Sequence, residues 1–170
     1  MPKPVLVIGG GPAGLEAARG IADLGYNAIL VDKADFLGGN PISESYAALT
    51  PDMRNAEEAM DEMIAAITDN PLVDVRMNTT VVGSDGQAPN LKVTLKNGSV
   101  EEVVEVGSVI VSTGFQHFDP GKETQMYGYY EFDDVITLVD AERMLKDGNF
   151  VRPSTGEKPD RVCFIQCVGS

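Results

Sequence analysis

Tryptophan is absent from these 170 residues, histidine occurs once, and cysteine occurs twice. The two cysteines, Cys163 and Cys167, form no CxxC or CxxxxC pair, and they are too few for a disulfide framework or a thiolate zinc site. A reducing, cytoplasmic compartment is therefore expected. Positive charge is also scarce, with 13 Lys and Arg against 26 Asp and Glu and a net charge of -13. That balance argues against nucleic acid and against anionic membrane surfaces as partners. No apolar run approaches the roughly 20 residues of a membrane span. The N-terminal stretch has neither the length nor the cleavage pattern of a secretory signal, and no direct membrane insertion is expected. These absences carry one constraint forward. In so acidic a chain, a phosphate-bearing ligand has to be attracted by backbone amides and a helix terminus.

What is present begins with residues 5–8, a short apolar run of the kind buried on both faces of a parallel sheet. A glycine-rich turn follows at 9–14. Leu15, Ala18, Ile21 and Ala22 then recur at helical spacing, with Gly25 as a stop. Residues 28–31 form a second buried strand, which completes a βαβ unit. Residues 36–50 read as loop. Residues 55–68 read as a helix, with Ala56, Met60, Met63, Ile64 and Ile67 on its apolar face. Strand patterns occupy 73–77, 80–82, 91–95 and 100–106, and Asn97-Gly98 between the last two is a hairpin signal. Another apolar strand at 109–112 runs into Thr113-Gly114. Residues 137–146 suggest a helix with Leu138, Ala141, Met144 and Leu145 as its apolar face. Residues 162–165 read as a final buried strand.

"GGGPAG" contains Gly9-x-Gly11-x-x-Gly14, with a strand before it and a helix after it. Gly9 permits the tight turn, Gly11 lets a pyrophosphate approach the backbone, and Gly14 lets the helix pack close to the sheet. Pro12 and Ala13 open that helix. In this context the pattern is a dinucleotide fingerprint rather than a merely glycine-rich loop. Asp32, at the end of the second strand, is placed to accept hydrogen bonds from ribose hydroxyls and would repel a 2′-phosphate. Lys33 beside it is a candidate contact whose simplest reading is an exposed lysine. The expected fold is therefore α/β: a Rossmann-like FAD/NAD(P)-binding three-layer fold with a parallel sheet and an inserted antiparallel hairpin or meander.

Two later features favour FAD. Gly38-Gly39 follows Asp32 at the distance seen in two-domain flavoproteins, and "VIVSTG", delivering Thr113 and Gly114, resembles the "ATG" stretch of glutathione-reductase-like flavoproteins. Val81 lies where the chain of that superfamily passes the adenine. The segments "TGFQHFDP", "YGYYEFDDVIT" and "FIQCVGS" resemble the A subunit of heterodisulfide reductase, and the related A and B subunits of the quinone-interacting membrane-bound oxidoreductase complex. The resemblance is generic over residues 1–40 and specific over 107–170. It implies FAD-dependent electron transfer among flavin, iron–sulfur clusters and the other subunits of a redox complex. It also implies Cys167 as the first ligand of a four-iron cluster in a longer protein, with the other cysteines downstream. The sequence departs from those subunits in having no cysteine between Gly39 and Val106, so thiolates hold no cluster there.

On a regular strand Cys163 and Cys167 would stand roughly 13 Å apart, beyond the reach of a disulfide. Cys163 is expected to be a small buried apolar residue. His117 is read as a solvent or packing residue. Tyr127, Tyr129 and Tyr130 are read as a structural aromatic cluster, and Glu57, Glu58, Asp61 and Glu62 as the wet face of a helix. The organisation expected is an FAD-binding domain over 1–148, as the N-terminal part of a discontinuous domain. A linker over 149–159 and the first strand of a truncated central domain over 160–170 would follow. The function expected is the FAD-binding part of an electron-transferring oxidoreductase subunit, inactive and weakly binding when isolated. Two alternatives stay open: a non-catalytic nucleotide-binding scaffold in a redox complex, and the NAD-binding domain of a dehydrogenase.

Overall fold

A computed structural model describes residues 2–120, 127–166 and 168. β1 (Val5–Ile8), β2 (Ala28–Val31), β5 (Val73–Arg76) and β9 (Ser108–Val111) form one parallel sheet in the order β5-β2-β1-β9. Helix α1 (Pro12–Asp23) carries the chain from β1 to β2. From β2 the chain passes through α2 (Asn40–Ser43), the two-residue strands β3 (Ala48–Leu49) and β4 (Arg54–Asn55), and α3 (Ala56–Thr68) to reach β5. A three-stranded antiparallel meander then follows: β6 (Thr79–Gln87), β7 (Asn90–Asn97) and β8 (Val100–Val106). Finally α4 (Leu138–Lys146) lies beyond β9.

Strand periodicity explains the layering. Successive side chains point to opposite faces. Val7, Ala28 and Leu30 face α1 and α3, where they meet Leu15, Ala18, Met60 and Ile67. Leu6, Ile29 and Val31 face the meander, where they meet Val93, Leu95, Val104 and Val106. The parallel sheet is thus covered on both sides, which is why its two central strands read as unbroken apolar runs. The three-layer α/β expectation holds.

Several local expectations are corrected. Residues 36–50 are not all loop, because Gly39 caps the short α2 and Pro41 supplies a preset φ for its first turn. The strand expected at 80–82 extends over Thr79–Gln87, because β7 pairs with its polar outer half as well. On α4 only Ala141 is buried, while Leu138 and Leu145 are 65% and 53% exposed. That helix docks instead through polar contacts: the amide of Ala47 donates to Glu142, Arg143 pairs with Glu44, and Lys146 pairs with Glu57. Residues 162–165 form no strand. No ladder partner lies beside them among the described residues, so Val162, Phe164 and Ile165 remain exposed. Cys163, expected buried, is exposed for the same reason. Of the structural aromatic cluster expected at Tyr127, Tyr129 and Tyr130, the structure shows the pair Tyr129 and Tyr130, edge to face at 4.9 Å, while Tyr127 is 61% exposed. Residues 152–157 are pinned as a turn, with Arg152 and Ser154 both bonded to Asp134.

Candidate dinucleotide-binding site

β1 and β2 end side by side, and the glycine loop leaves β1 at their common edge. Its geometry depends on two close approaches. Gly9 has a φ of +107°, and a Cβ there would lie 2.3 Å from the carbonyl oxygen of Ser112. A Cβ on Gly14 would lie 1.7 Å from the carbonyl oxygen of Gly9, so α1 can sit this close to the loop only with glycine at its third position. Gly11 is the N-cap of α1, with no side-chain cap and no acidic residue in the first turn. Amides at the start of a helix have no intrahelical acceptor. Those of Gly11, Ala13 and Gly14, with Pro12 contributing no N–H, therefore form an anion-attracting end in a chain of net charge -13.

Asp32 holds this loop from the side. Its carboxylate accepts the amide of Gly10 at 2.5 Å through one oxygen and the amide of Ala34 at 2.8 Å through the other. A carboxylate has about four lone-pair sites, so acceptor capacity remains for sugar hydroxyls. The backbone is equally fixed: the amide of Asp32 donates to the carbonyl of Arg76, and its own carbonyl accepts the amide of Thr79 at 2.7 Å. Lys33, next in sequence, is exposed. Val81, two residues beyond Thr79, is partly buried and packs on the core between the two sheets.

Gly38 and Gly39 dock on the glycine loop itself. The amide of Gly38 donates to the carbonyl of Gly10 at 2.8 Å. A Cβ on Gly39, whose φ is +58°, would lie 2.9 Å from the Cα of Gly11. The two backbones therefore make a cradle of bare main chain. Thr113 and Gly114 are exposed at the end of β9, on the opposite side of β1 from Asp32. Asp32, the glycine loop, Gly38-Gly39 and Thr113-Gly114 thus share one edge of the sheet. Cys167 lies outside the described residues.

Two features escape a reading of the sequence alone. The Ser112 hydroxyl donates to the carbonyl of Ile8 at 3.0 Å and lies 3.2 Å from that of Gly9, tying β9 to the glycine loop. The signal for it was the hydroxyl in "STG" where the "ATG" pattern has a methyl. The second feature is the pair Tyr46 and His117. The Tyr46 hydroxyl is 2.6 Å from His117 Nε2, and Phe115 meets the imidazole edge to face at 5.0 Å. Asn40 donates its side-chain amide to the carbonyl of Phe115 at 3.0 Å. His117 is thus a packing residue, half-buried against Phe115 and hydrogen-bonded to Tyr46. Burial raises the Tyr46 pKa above its ordinary value, with Glu44 and Glu142 adding to the effect and a hydrogen bond from Asn40 opposing it.

A glycine loop opening a helix, a strand-end acid and a parallel sheet covered by helices and a meander define a Rossmann-like domain of the dinucleotide-binding class. The chain belongs to the pyridine nucleotide-disulphide oxidoreductase family, whose model matches residues 3–149. It is similar to an iron-sulfur A subunit of the CoB–CoM heterodisulfide reductase of Methanopyrus kandleri, at 26% identity covering 98% of this chain and 37% of that one. That alignment, at 249 positions, is longer than the chain, so the relative carries internal residues that this chain lacks. A shorter stretch, 41% of this chain, is 47% identical to the A subunit of the H(2):CoB-CoM heterodisulfide,ferredoxin reductase of Methanothermobacter thermautotrophicus and covers 11% of it. The chain spans little more than a third of the Methanopyrus relative's length. Among solved structures, L-proline dehydrogenase from P. horikoshii shares the fold, with a TM-score of 0.58 at 21% identity, covering 66% of this chain and 22% of that one. No helix among the described residues is long and apolar enough to cross a membrane.

Proposed function

We propose that this chain is the FAD-binding portion of an electron-transferring oxidoreductase subunit of the heterodisulfide reductase A kind. The observation that carries this reading is the bare main-chain approach of Gly39 to Gly11 at the start of α1, with Asp32 fixed beside it. Gly9, Gly11, Pro12, Ala13 and Gly14 would receive the pyrophosphate. Asp32 would take the adenosine ribose, with Lys33 and Val81 on the adenine side, and Gly38, Gly39, Thr113 and Gly114 would flank the other half. The docking of Gly39 on Gly11 supports FAD over NAD, because it brings a second loop to the pyrophosphate position. FAD, when bound, supplies reversible electron chemistry. The residues of this chain hold and orient it.

The rest is carried by similarity to relatives named as subunits. In the whole protein the flavin would exchange electrons with iron–sulfur clusters and partner subunits, in the cytoplasm, and Cys167 would be one ligand of a four-iron cluster completed by cysteines beyond this chain. The exposed residues 162–165 would join a further domain. The test is a titration of the chain with FAD and, separately, NAD, followed by flavin absorbance and equilibrium dialysis. FAD is expected to be retained, weakly, and NAD not. Retention of NAD alone would overturn the reading.

A further inference from the structure

We propose that Tyr46 and His117 form a positioning pair that selects for the non-adenosine half of the dinucleotide, so that the crevice takes FAD in preference to its adenosine diphosphate fragment. This rests on the FAD reading above. The sheet order places Asp32 at the end of β2 and residues 113–117 beyond β9, with β1 and its glycine loop between them. A dinucleotide with its ribose at Asp32 and its pyrophosphate at α1 therefore runs on toward β9. Two loops flank that side: the one that follows Gly39 and the one that follows Gly114.

The pair fastens these loops to each other across 71 residues of sequence. Each partner is itself held. The amide of Ala47, next to Tyr46, donates to Glu142 on α4 at 3.0 Å. His117 is backed by Phe115, whose carbonyl accepts the Asn40 side chain. A hydrogen bond at 2.6 Å between two such supported, part-buried groups builds a wall before the ligand arrives, so less ordering remains to oppose binding. ADP ends at the pyrophosphate and gains nothing from that wall.

The experiment compares Kd values for FAD and ADP on the full chain by calorimetry, for the wild type, Tyr46→Phe, His117→Ala and His117→Gln. The wild type is expected to prefer FAD. Tyr46→Phe and His117→Ala should each weaken FAD by about tenfold, as for one lost hydrogen bond, and leave ADP within about twofold. His117→Gln, whose amide can still meet the tyrosine, should recover part of the loss. Parallel weakening of FAD and ADP would reduce the pair to a structural prop and overturn the proposal, as would variants that change neither. A wild type that binds ADP and FAD equally also overturns it while sparing the nucleotide site. A wild type that binds neither removes the FAD reading as well.

Discussion

Asp32 accepts the backbone amide of Gly10 at 2.5 Å, so the acid at the end of the second strand holds the turn that leaves the first. One carboxylate thus shapes the glycine loop and, in the proposed function, would also receive the hydroxyls of a sugar. Asp32→Ala removes both roles. With charged hydrogen bonds contributing about 1.5–3 kcal/mol each, ADP and FAD should bind roughly ten- to a hundredfold more weakly by calorimetry. The discrimination against 2′-phosphorylated nucleotides should shrink in the same experiment. Unchanged affinity would remove Asp32 from the site.

Gly14 is the point where α1 meets the loop. Its replacement by alanine would place a Cβ 1.7 Å from the Gly9 carbonyl oxygen, and backbone is what would have to move. Overpacking of this kind costs about 1–3 kcal/mol. Gly14→Ala is expected to lower the urea midpoint and to abolish flavin retention. The control is Gly20→Ala on the same helix, where a Cβ meets nothing within 4 Å, and it should leave both measurements unchanged or slightly raise stability.

Ser112→Ala isolates the tie between β9 and the glycine loop. The hydroxyl bonds Ile8 and approaches Gly9, and its loss should cost about 1 kcal/mol in urea unfolding. The Ser112 backbone amide still donates to the Ile8 carbonyl at 2.8 Å, so β9 stays joined to β1 while the contact with Gly9 is lost, and FAD affinity should fall by a few-fold more than the change in stability accounts for.

Tyr46 supplies a pH signature. Its folded-state pKa is raised, chiefly by burial, so near pH 10 the unfolded chain loses this proton before the folded chain does. The folded state then binds more protons, and stability falls as pH rises. This contribution is fully present below the ordinary tyrosine pKa and is lost as pH rises through the higher folded value. Absorbance titration near 295 nm should show a late-titrating tyrosine that disappears in Tyr46→Phe, and that variant should lose less stability in alkali than the wild type.

Much of the architecture was legible because its causes are local. Residues 5–8 and 28–31 are apolar on both faces because both faces are covered, and the hairpin signal at Asn97-Gly98 falls one residue early: Asn97 closes β7 in register with Val100, and the turn itself is Gly98 and Ser99, with Gly98 at positive φ. The candidate site was legible for a related reason: Gly9, Gly14 and Asp32 each answer a backbone demand within a single βαβ unit. What escaped depends on partners distant in sequence. Tyr46 meets His117, and Glu142 meets Ala47, only after the chain beyond β9 returns over α2. The helix at 138–146 looked amphipathic, but its charged side chains do the docking, and no periodicity encodes that. Residues 162–165 mark the opposite failure, since apolar β-branched character specifies a strand only where a neighbouring strand is present to pair with it.

The most direct test of the central claim is a backbone amide spectrum of the isotopically labelled chain recorded with and without FAD. Main-chain recognition predicts the largest shift changes at Gly11, Ala13 and Gly14, with Gly10 and Ala34, whose amides are held by Asp32, and Gly39 following. Shifts confined to other surfaces, or none at saturating FAD, would contradict it.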